Sequence, residues 1–283
     1  MAAHLPGTSA PPEAAPFEVP EPMRRLAGDM LAVPVWRNAD GVLTCALYTP
    51  GSPRPVRYLK WAAPGASGRF DEGPPFDGEA QRLRWAAQFT PVPLVVDVSI
   101  GTSGGDWLMS EAIHAESAVS PAWRSRPSKA VRAIGEGLSA FHESLPVQDC
   151  PFSWSVEYRR TRAQAMYDGG YDYPPSAFKQ DRHGLTPAEA LRRLHDAPPI
   201  DQLVVCHGDP CCPNTLLDAE GDWCAHVDLD RMGVADRWAD IAVAAWSCEW
   251  NYGPEWGAHL LDAYGVAPDE ERIYYYRLLW DME

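Results

Sequence analysis

The hydrophobic rhythm of the chain changes near residue 112. Before that point, short apolar runs alternate with turn residues. Met30 to Trp36 is apolar, Asn38-Ala39-Asp40-Gly41 signals a turn, and Val42 to Thr49 resumes a strand pattern. After the break at Thr49 to Pro55, Val56 to Ala62 predicts another strand, with Lys60 inside it. Pro64 to Pro75 reads as a loop, and Gly78 to Gln88 as a helix through Glu79, Leu83 and Ala86. Pro93 to Ile100 and Asp106 to Glu111 predict two more strands. Beyond residue 112 the period lengthens. Ser128 to Leu145 places Val131, Ile134, Leu138 and Phe141 on one helical face. Thr186 to Leu194 predicts a helix with Thr186 as N-cap and Glu189 three residues on, and Asp236 to Trp250 a third helix. Gln202 to His207 and Trp223 to Leu229 are strand-like and flank a loop. The expected architecture is therefore α+β and bilobal, with a strand-rich lobe over 23–111 and a mostly helical lobe over 112–283.

Composition narrows the options. Hydrophobic residues make up 46% and charged residues 22%, as in globular chains. A net charge of −15 argues against a nucleic-acid partner. No run approaches the about 20 apolar residues of a membrane helix. The Ala- and Pro-rich residues 1–22 read as a mobile tail without a signal peptide's charged and apolar regions. Seven cysteines without framework spacing point to a reducing, cytoplasmic setting. Cys206, Cys211, Cys212, Cys224 and His226 invite a zinc reading. They contain no Cys-x-x-Cys pair, so they read instead as buried small residues.

The chemistry concentrates in Val204-Val205-Cys206-His207-Gly208-Asp209-Pro210-Cys211-Cys212-Pro213-Asn214, followed by Val227-Asp228-Leu229-Asp230-Arg231. Phosphoryl transfer needs a carboxylate to orient an attacking hydroxyl, oxygen ligands for Mg²⁺, and a cation for the phosphates. Asp209 suits the first need, Asn214 and Asp228 the second, and Lys60 the third. A lone Asp in a turn says little. An Asp, an Asn five residues on and a further Asp on the next strand form the spacing of kinases. The alternative for this stretch is a capped hairpin with solvated acids. His207 reads as a brace for the loop. Asp240 reads as a helix cap or as a hydrogen-bond partner of the loop.

The stretch from Val204 to Ala242 resembles the aminoglycoside phosphotransferase family, and especially its streptomycin-directed members. The likeness lies in the His-Gly-Asp-Pro-Cys-x-Pro-Asn run, then Asp228, Arg231, Gly233, Ala235-Asp236-Arg237 and Asp240. It extends more weakly to Lys60, Glu79, Cys150-Pro151-Phe152 and Tyr276-Arg277-Leu278-Leu279. The resemblance implies a protein-kinase-like fold and transfer of the γ-phosphate of ATP or GTP, with Mg²⁺, to a hydroxyl of a small antibiotic. It makes Asp209 the base and Asn214 and Asp228 the metal ligands. It pairs Lys60 with Glu79 on the phosphates and sets Ser110, Glu111 and Ala112 against the base of the nucleotide. Two departures stand out. Asp230 replaces the usual Gly after the metal-binding Asp, and Asn38 to Thr44 has no G-x-G-x-x-G. Two other functions remain open: a kinase of an ordinary metabolite such as choline, homoserine or a sugar, and a non-catalytic binding protein of kinase ancestry.

The acceptor residues nominated by this reading are Asp230, Arg231, Tyr171, Asp281 and Glu283. Residues 120–283 hold 26 acids and 15 bases, which suits a polycation. The segment expected to cover the acceptor, Trp154 to His183, points the other way. Its four acids (Glu157, Asp168, Asp172, Asp181) face five bases (Arg159, Arg160, Arg162, Lys179, Arg182). It also carries Tyr158, Tyr167, Tyr171, Tyr173 and Phe178 for stacking. Trp280 stands where related enzymes often have an acid. The expected acceptor therefore has few positive charges: a streptomycin-like compound, or a sugar-bearing nucleoside such as a capuramycin, rather than a kanamycin- or neomycin-type polycation.

Overall fold

The computed structural model describes residues 17–38, 41–65, 76–173, 178 and 182–283. Residues 1–16 of the expected tail, Ala39 and Asp40 of the first turn, most of the loop before Pro75, and Lys179 and Asp181 lie outside them. The chain divides into two compact units. One runs to Ala115 and is joined by Ala225–Asp230; the other holds Glu116–Cys224 and Arg231–Glu283.

The first unit opens with helix α1 (Glu21–Ala27), which Pro20 starts by fixing its own φ at −60°. Met23 and Ala27 are buried against the sheet, and Phe17 and Val19 pack there too, within the stretch read as tail. The Ala/Pro composition of the leader conceals this, because a seven-residue helix carries too few apolar positions to show a period. Strands β1 (Leu31–Arg37), β2 (Leu43–Tyr48) and β3 (Arg57–Ala62) precede helix α2 (Asp77–Ala86). Strands β4 (Val95–Ser99) and β5 (Asp106–Glu111) complete an antiparallel sheet of order β1-β2-β3-β5-β4. Lys60 on central β3 stands opposite Thr44 on one side and Leu108 on the other. Helix α2 buries Glu79, Ala80, Leu83 and Ala86, spacings that make one face, so a carboxylate sits in an otherwise apolar stripe.

The second unit starts with β6 (Glu116–Ser117), α3 (Pro121–Arg124), α4 (Pro127–Ser144), α5 (Val156–Asp168) and α6 (Pro187–Arg193). Thr186 and Glu189 form a reciprocal capping box on α6, as the sequence predicts. Then come β7 (Leu203–Cys206), β8 (Thr215–Leu217) and β9 (Trp223–His226), the last of which leads into the segment that joins the first unit. The chain returns through β10 (Gly233–Asp236) to α7 (Trp238–Tyr252), α8 (Trp256–Tyr264) and α9 (Glu270–Asp281). Strand β10 pairs antiparallel with β7, setting Gly233 opposite Cys206. Strand β6 pairs with β8, and Ser117 Oγ donates to the carbonyl of Pro213 at 2.9 Å. One continuous core joins α4, α7, α8 and α9 around Ile134, Leu138, Trp238, Ile241, Leu260 and Leu278. Gly135 lets α4 meet α8 closely, since a Cβ there would fall 3.0 Å from the carbonyl oxygen of Leu260.

Candidate active site

In the first unit, three of the expected residues meet. The Lys60 ammonium donates to Glu79 Oε1 at 2.7 Å and also to Asp228 Oδ1. Burial works against the charge on Lys60, but the carboxylates of Asp228 and Glu79 outweigh it and hold the ammonium above its ordinary range. Burial also pushes the Glu79 carboxyl up, to about 7, with Lys60 opposing and the charges of Asp228 and Asp230 adding. Asp228 adopts φ +62°, a left-handed conformation that Asp tolerates better than most residues. A side chain held there is a mark of functional sites. Asp230 is exposed, two residues on. At the other end of the sheet, the amides of Glu111 and Ala112 donate to the carbonyls of Leu94 (2.8 Å) and Val56 (3.0 Å). Around Ser110 to Ala112 these two donors are therefore already committed to the sheet.

In the second unit, the loop after β7 carries Asp209. Gly208 has φ +86°, and a Cβ there would lie 2.3 Å from the carbonyl oxygen of Arg231, so only glycine fits. The buried Asp240 carboxylate holds the loop from beneath. It accepts the amide of His207 at 2.5 Å and that of Gly208 at 3.0 Å. Being ionised, it can only accept, so the His142 ring donates to it through Nε2 at 2.9 Å, while Nδ1 lies 2.8 Å from the Tyr264 hydroxyl. Burial raises the Asp240 pKa, yet the hydrogen bond and charge of His142, with the other donors, bring it below the ordinary value. Of the two roles open to Asp240, the structure selects the loop contact. Helix α7 starts at Trp238, with no side-chain cap.

The Asp209 amide donates to His207 Nδ1 at 3.2 Å, and the Asp209 carbonyl accepts Asn214 Nδ2 at 2.9 Å. Asn214 ends a tight 3-10 turn, Cys212–Asn214, and with its nitrogen engaged it keeps an amide oxygen for a cation. Asp209 Oδ1 is buried without a hydrogen-bond partner among the described residues. Burial first and the Asp209 charge second push the Cys211 thiol well up. The five residues of the zinc reading are not gathered. Among the described residues, one group of three metal-type side chains converges, His142, Cys206 and Asp240, and its His and Asp belong to the loop brace. All seven cysteines are free thiols.

The Arg231 guanidinium stacks over Trp280 at 5.4 Å and Trp154 at 5.9 Å. Tyr171 meets Tyr173 edge-on at 5.0 Å. Asp281 and Glu283 differ from expectation, because arginines hold their side chains in buried pairs. Asp281 accepts Arg182 Nε at 2.7 Å, and Glu283 accepts Arg159 Nη2 at 2.8 Å and Nε at 3.1 Å. Sequence reasoning did not identify His142, Arg159 or Arg182 as partners in these arrangements. A signal existed for the first: His142 follows Ile134 and Leu138 at helical spacing, a polar group in a core stripe.

A strand lysine paired with a helix glutamate, an Asp and Asn five residues apart on a braced loop, and a strained Asp after the next strand define a kinase-like phosphotransferase. The comparisons agree. The family model described as "Phosphotransferase enzyme family" matches residues 59–276, and the chain belongs to that family. It is 35% identical over 242 residues to an aminoglycoside 3'-phosphotransferase of Streptomyces fradiae, covering 80% of this chain and 85% of the relative. A crystal structure of a type VIII aminoglycoside 3'-phosphotransferase matches with 31% identity and TM-score 0.74, over 92% of this chain and 97% of the other. An APH(3'')-Id enzyme of Streptomyces rimosus, solved with ADP and streptomycin, matches with 25% identity and TM-score 0.69, over 92% of this chain and 95% of the other. The chain is thus an enzyme of the class that transfers phosphate to hydroxyl groups, on an α+β kinase-like fold. No helix among the described residues is long and apolar enough to cross a membrane.

Proposed function

We propose that the protein transfers the γ-phosphate of ATP or GTP to a sugar hydroxyl of a small aminoglycoside-type antibiotic, and so confers resistance. The observation that carries this reading is Asp209, held on a braced loop with one buried oxygen that no described residue satisfies. The acceptor hydroxyl donates to Asp209. Its oxygen forms a bond to the γ-phosphorus while the bond from that phosphorus to the β,γ-bridging oxygen breaks. The hydroxyl proton passes to Asp209, and the nucleoside diphosphate leaves. Lys60, aligned by Glu79, positions the phosphates as a point charge. Ser110, Glu111 and Ala112 meet the base through groups other than the Glu111 and Ala112 amides, which the sheet holds, and Asp230, Arg231 and Tyr171 contact the acceptor. The neighbouring complex with ADP and streptomycin supports both the donor class and the acceptor class.

Asn214 and Asp228 fit Mg²⁺, since both supply hard oxygen atoms and Asn214 has its nitrogen otherwise engaged. When bound, that ion neutralises charge on the phosphates. Asp228→Ala is expected to raise the Mg²⁺ concentration for half-maximal rate by about tenfold or more. A titration that superimposes on the native one removes Asp228 from the metal site.

The function itself is tested by incubating the protein with labelled ATP or GTP and streptomycin. Transfer of one phosphate to the antibiotic, with raised resistance in cells expressing the chain, is expected. Hydrolysis without transfer, or transfer only to choline, homoserine or a simple sugar, would select a metabolite kinase instead.

A further inference from the structure

The catalytic loop carries two adjacent cysteines that phosphoryl transfer does not use, Cys211 and Cys212, between Asp209 and Asn214. Cys212 faces another thiol. Its Sγ lies 3.5 Å from Sγ of Cys248 on α7, and both residues are fully buried. The backbone joins the same two elements, because the Cys212 amide donates to Ser247 Oγ at 2.9 Å. Cys212 opens the 3-10 turn that ends in Asn214, whose Nδ2 donates to the Asp209 carbonyl. One sulfur of the pair thus belongs to the segment that sets Asp209 and Asn214. The other belongs to the helix that carries Asp240, the brace of that segment.

Two thiols in contact differ chemically from one. A single buried thiol is inert, and burial does push the Cys248 thiol well up. Bulky thiol reagents are therefore shut out, while a small uncharged peroxide can enter through brief local openings. Once one sulfur is oxidised its partner is already at contact distance, so closure is intramolecular and outruns further oxidation. We propose that Cys212 and Cys248 form a redox modification site: hydrogen peroxide converts them to a disulfide that ties the catalytic loop to α7 and slows phosphoryl transfer. The first sulfur attacks one peroxide oxygen, the O–O bond breaks, and hydroxide leaves with the thiol proton as water. The partner sulfur then attacks the sulfenic acid sulfur, the S–O bond breaks, and a second water leaves with the partner's proton. Two electrons pass from the sulfurs to the peroxide. A disulfide holds its sulfurs about 2.0 Å apart, so this pair must close by about 1.5 Å. Cys248 lies within a 15-residue helix and Cys212 on a three-residue turn, so the turn gives way. The displacement reaches Asn214 two residues on and, through its hydrogen bond, the backbone of Asp209. A misplacement of about 1 Å in such groups costs a rate factor of about 100. In a reducing setting the bond is transient and its loss restores the loop.

The test treats the full chain with hydrogen peroxide, maps its cysteines by peptide mass spectrometry, and measures streptomycin phosphorylation alongside. A Cys212–Cys248 cross-link is expected to accumulate in step with a fall in kcat of about tenfold or more, and dithiothreitol should reverse both. Cys248→Ala, whose side chain lies outside the site, should keep kcat within about twofold through the same treatment. If that variant does not fold, the native protein's peptide map and rates decide. Resistance to peroxide, loss of rate without this cross-link, a cross-linked protein of native rate, or equal inactivation of folded Cys248→Ala would each overturn the proposal. The proposal rests on the catalytic role of the Asp209 loop and not on the acceptor. If the reduced chain leaves streptomycin untouched, the antibiotic reading fails, and nucleotide hydrolysis without acceptor reports the state of the loop instead.

Discussion

Asp209→Ala is expected to abolish transfer while nucleotide affinity stays within about twofold, because the change falls on the acceptor's proton and not on the donor. The side chain contributes a carboxylate with one oxygen buried and without a hydrogen-bond partner among the described residues. The loop that presents it is held through backbone amides of His207 and Gly208, which the substitution leaves in place. The fold should therefore survive, and the loss should appear in kcat. Removing a positioned general base typically costs a factor of about 10²–10⁴, or roughly 3–5 kcal/mol of transition-state stabilisation. Rapid-quench measurement of the chemical step, beside equilibrium titration of ADP, separates the two effects. A fall of less than about tenfold would move the base elsewhere.

Much of this site was legible because its residues are set by local rules. Lys60 lies in a short strand whose residues Leu59 and Trp61 are buried, and the pattern alone places it on a strand, which the structure shows to be central β3. Asp209 and Asn214 share one loop, so their spacing in sequence is nearly their spacing in space. The pattern placed Glu79 on a helix, but its pairing with Lys60 came from the resemblance. A glutamate among Ala80, Leu83 and Ala86 reads as exposed until its cation, 19 residues away, is known. The residues left unread depend on distant partners. Strand β10 exists through its pairing with β7 and its bridge to Ser153, and Ala225–Asp230 belongs with a unit that is more than a hundred residues earlier in the chain. Helix α5 escaped because its buried face is Arg159, Arg162, Ala163 and Met166, a helical stripe written with two arginines. Those charges become tolerable inside only when Glu283 and the ring of Trp154 are added.

Asp240→Asn is expected to lower kcat by about 10- to 100-fold and to reduce thermal stability, with nucleotide KM nearly unchanged. Asp240 touches neither substrate nor phosphate in this reading; it is a positioning residue. Its two oxygens accept from three donors, the amides of His207 and Gly208 and the imidazole of His142. An amide side chain must turn an NH₂ towards at least one of them, leaving a buried donor unsatisfied at a cost of about 1–3 kcal/mol and loosening the turn that aims Asp209. In a chain of this size, that lowers Tm by several degrees, at about 2–4 °C per kcal/mol. The pH response separates the positioning role from a loss of packing alone. Burial raises the Asp240 pKa, but its donors win and the folded value lies below the unfolded one. The carboxylate therefore stabilises the fold above the unfolded pKa of about 4, and that contribution fades as pH falls through the folded value. The native protein should lose stability below about pH 4 more steeply than Asp240→Asn, which has no proton to take up there. His142→Leu, which removes one donor and leaves the two loop amides bound, should cost less in kcat than Asp240→Asn. A variant Asp240→Asn with native kcat and an unaltered acid limb would show that the loop holds Asp209 without this brace.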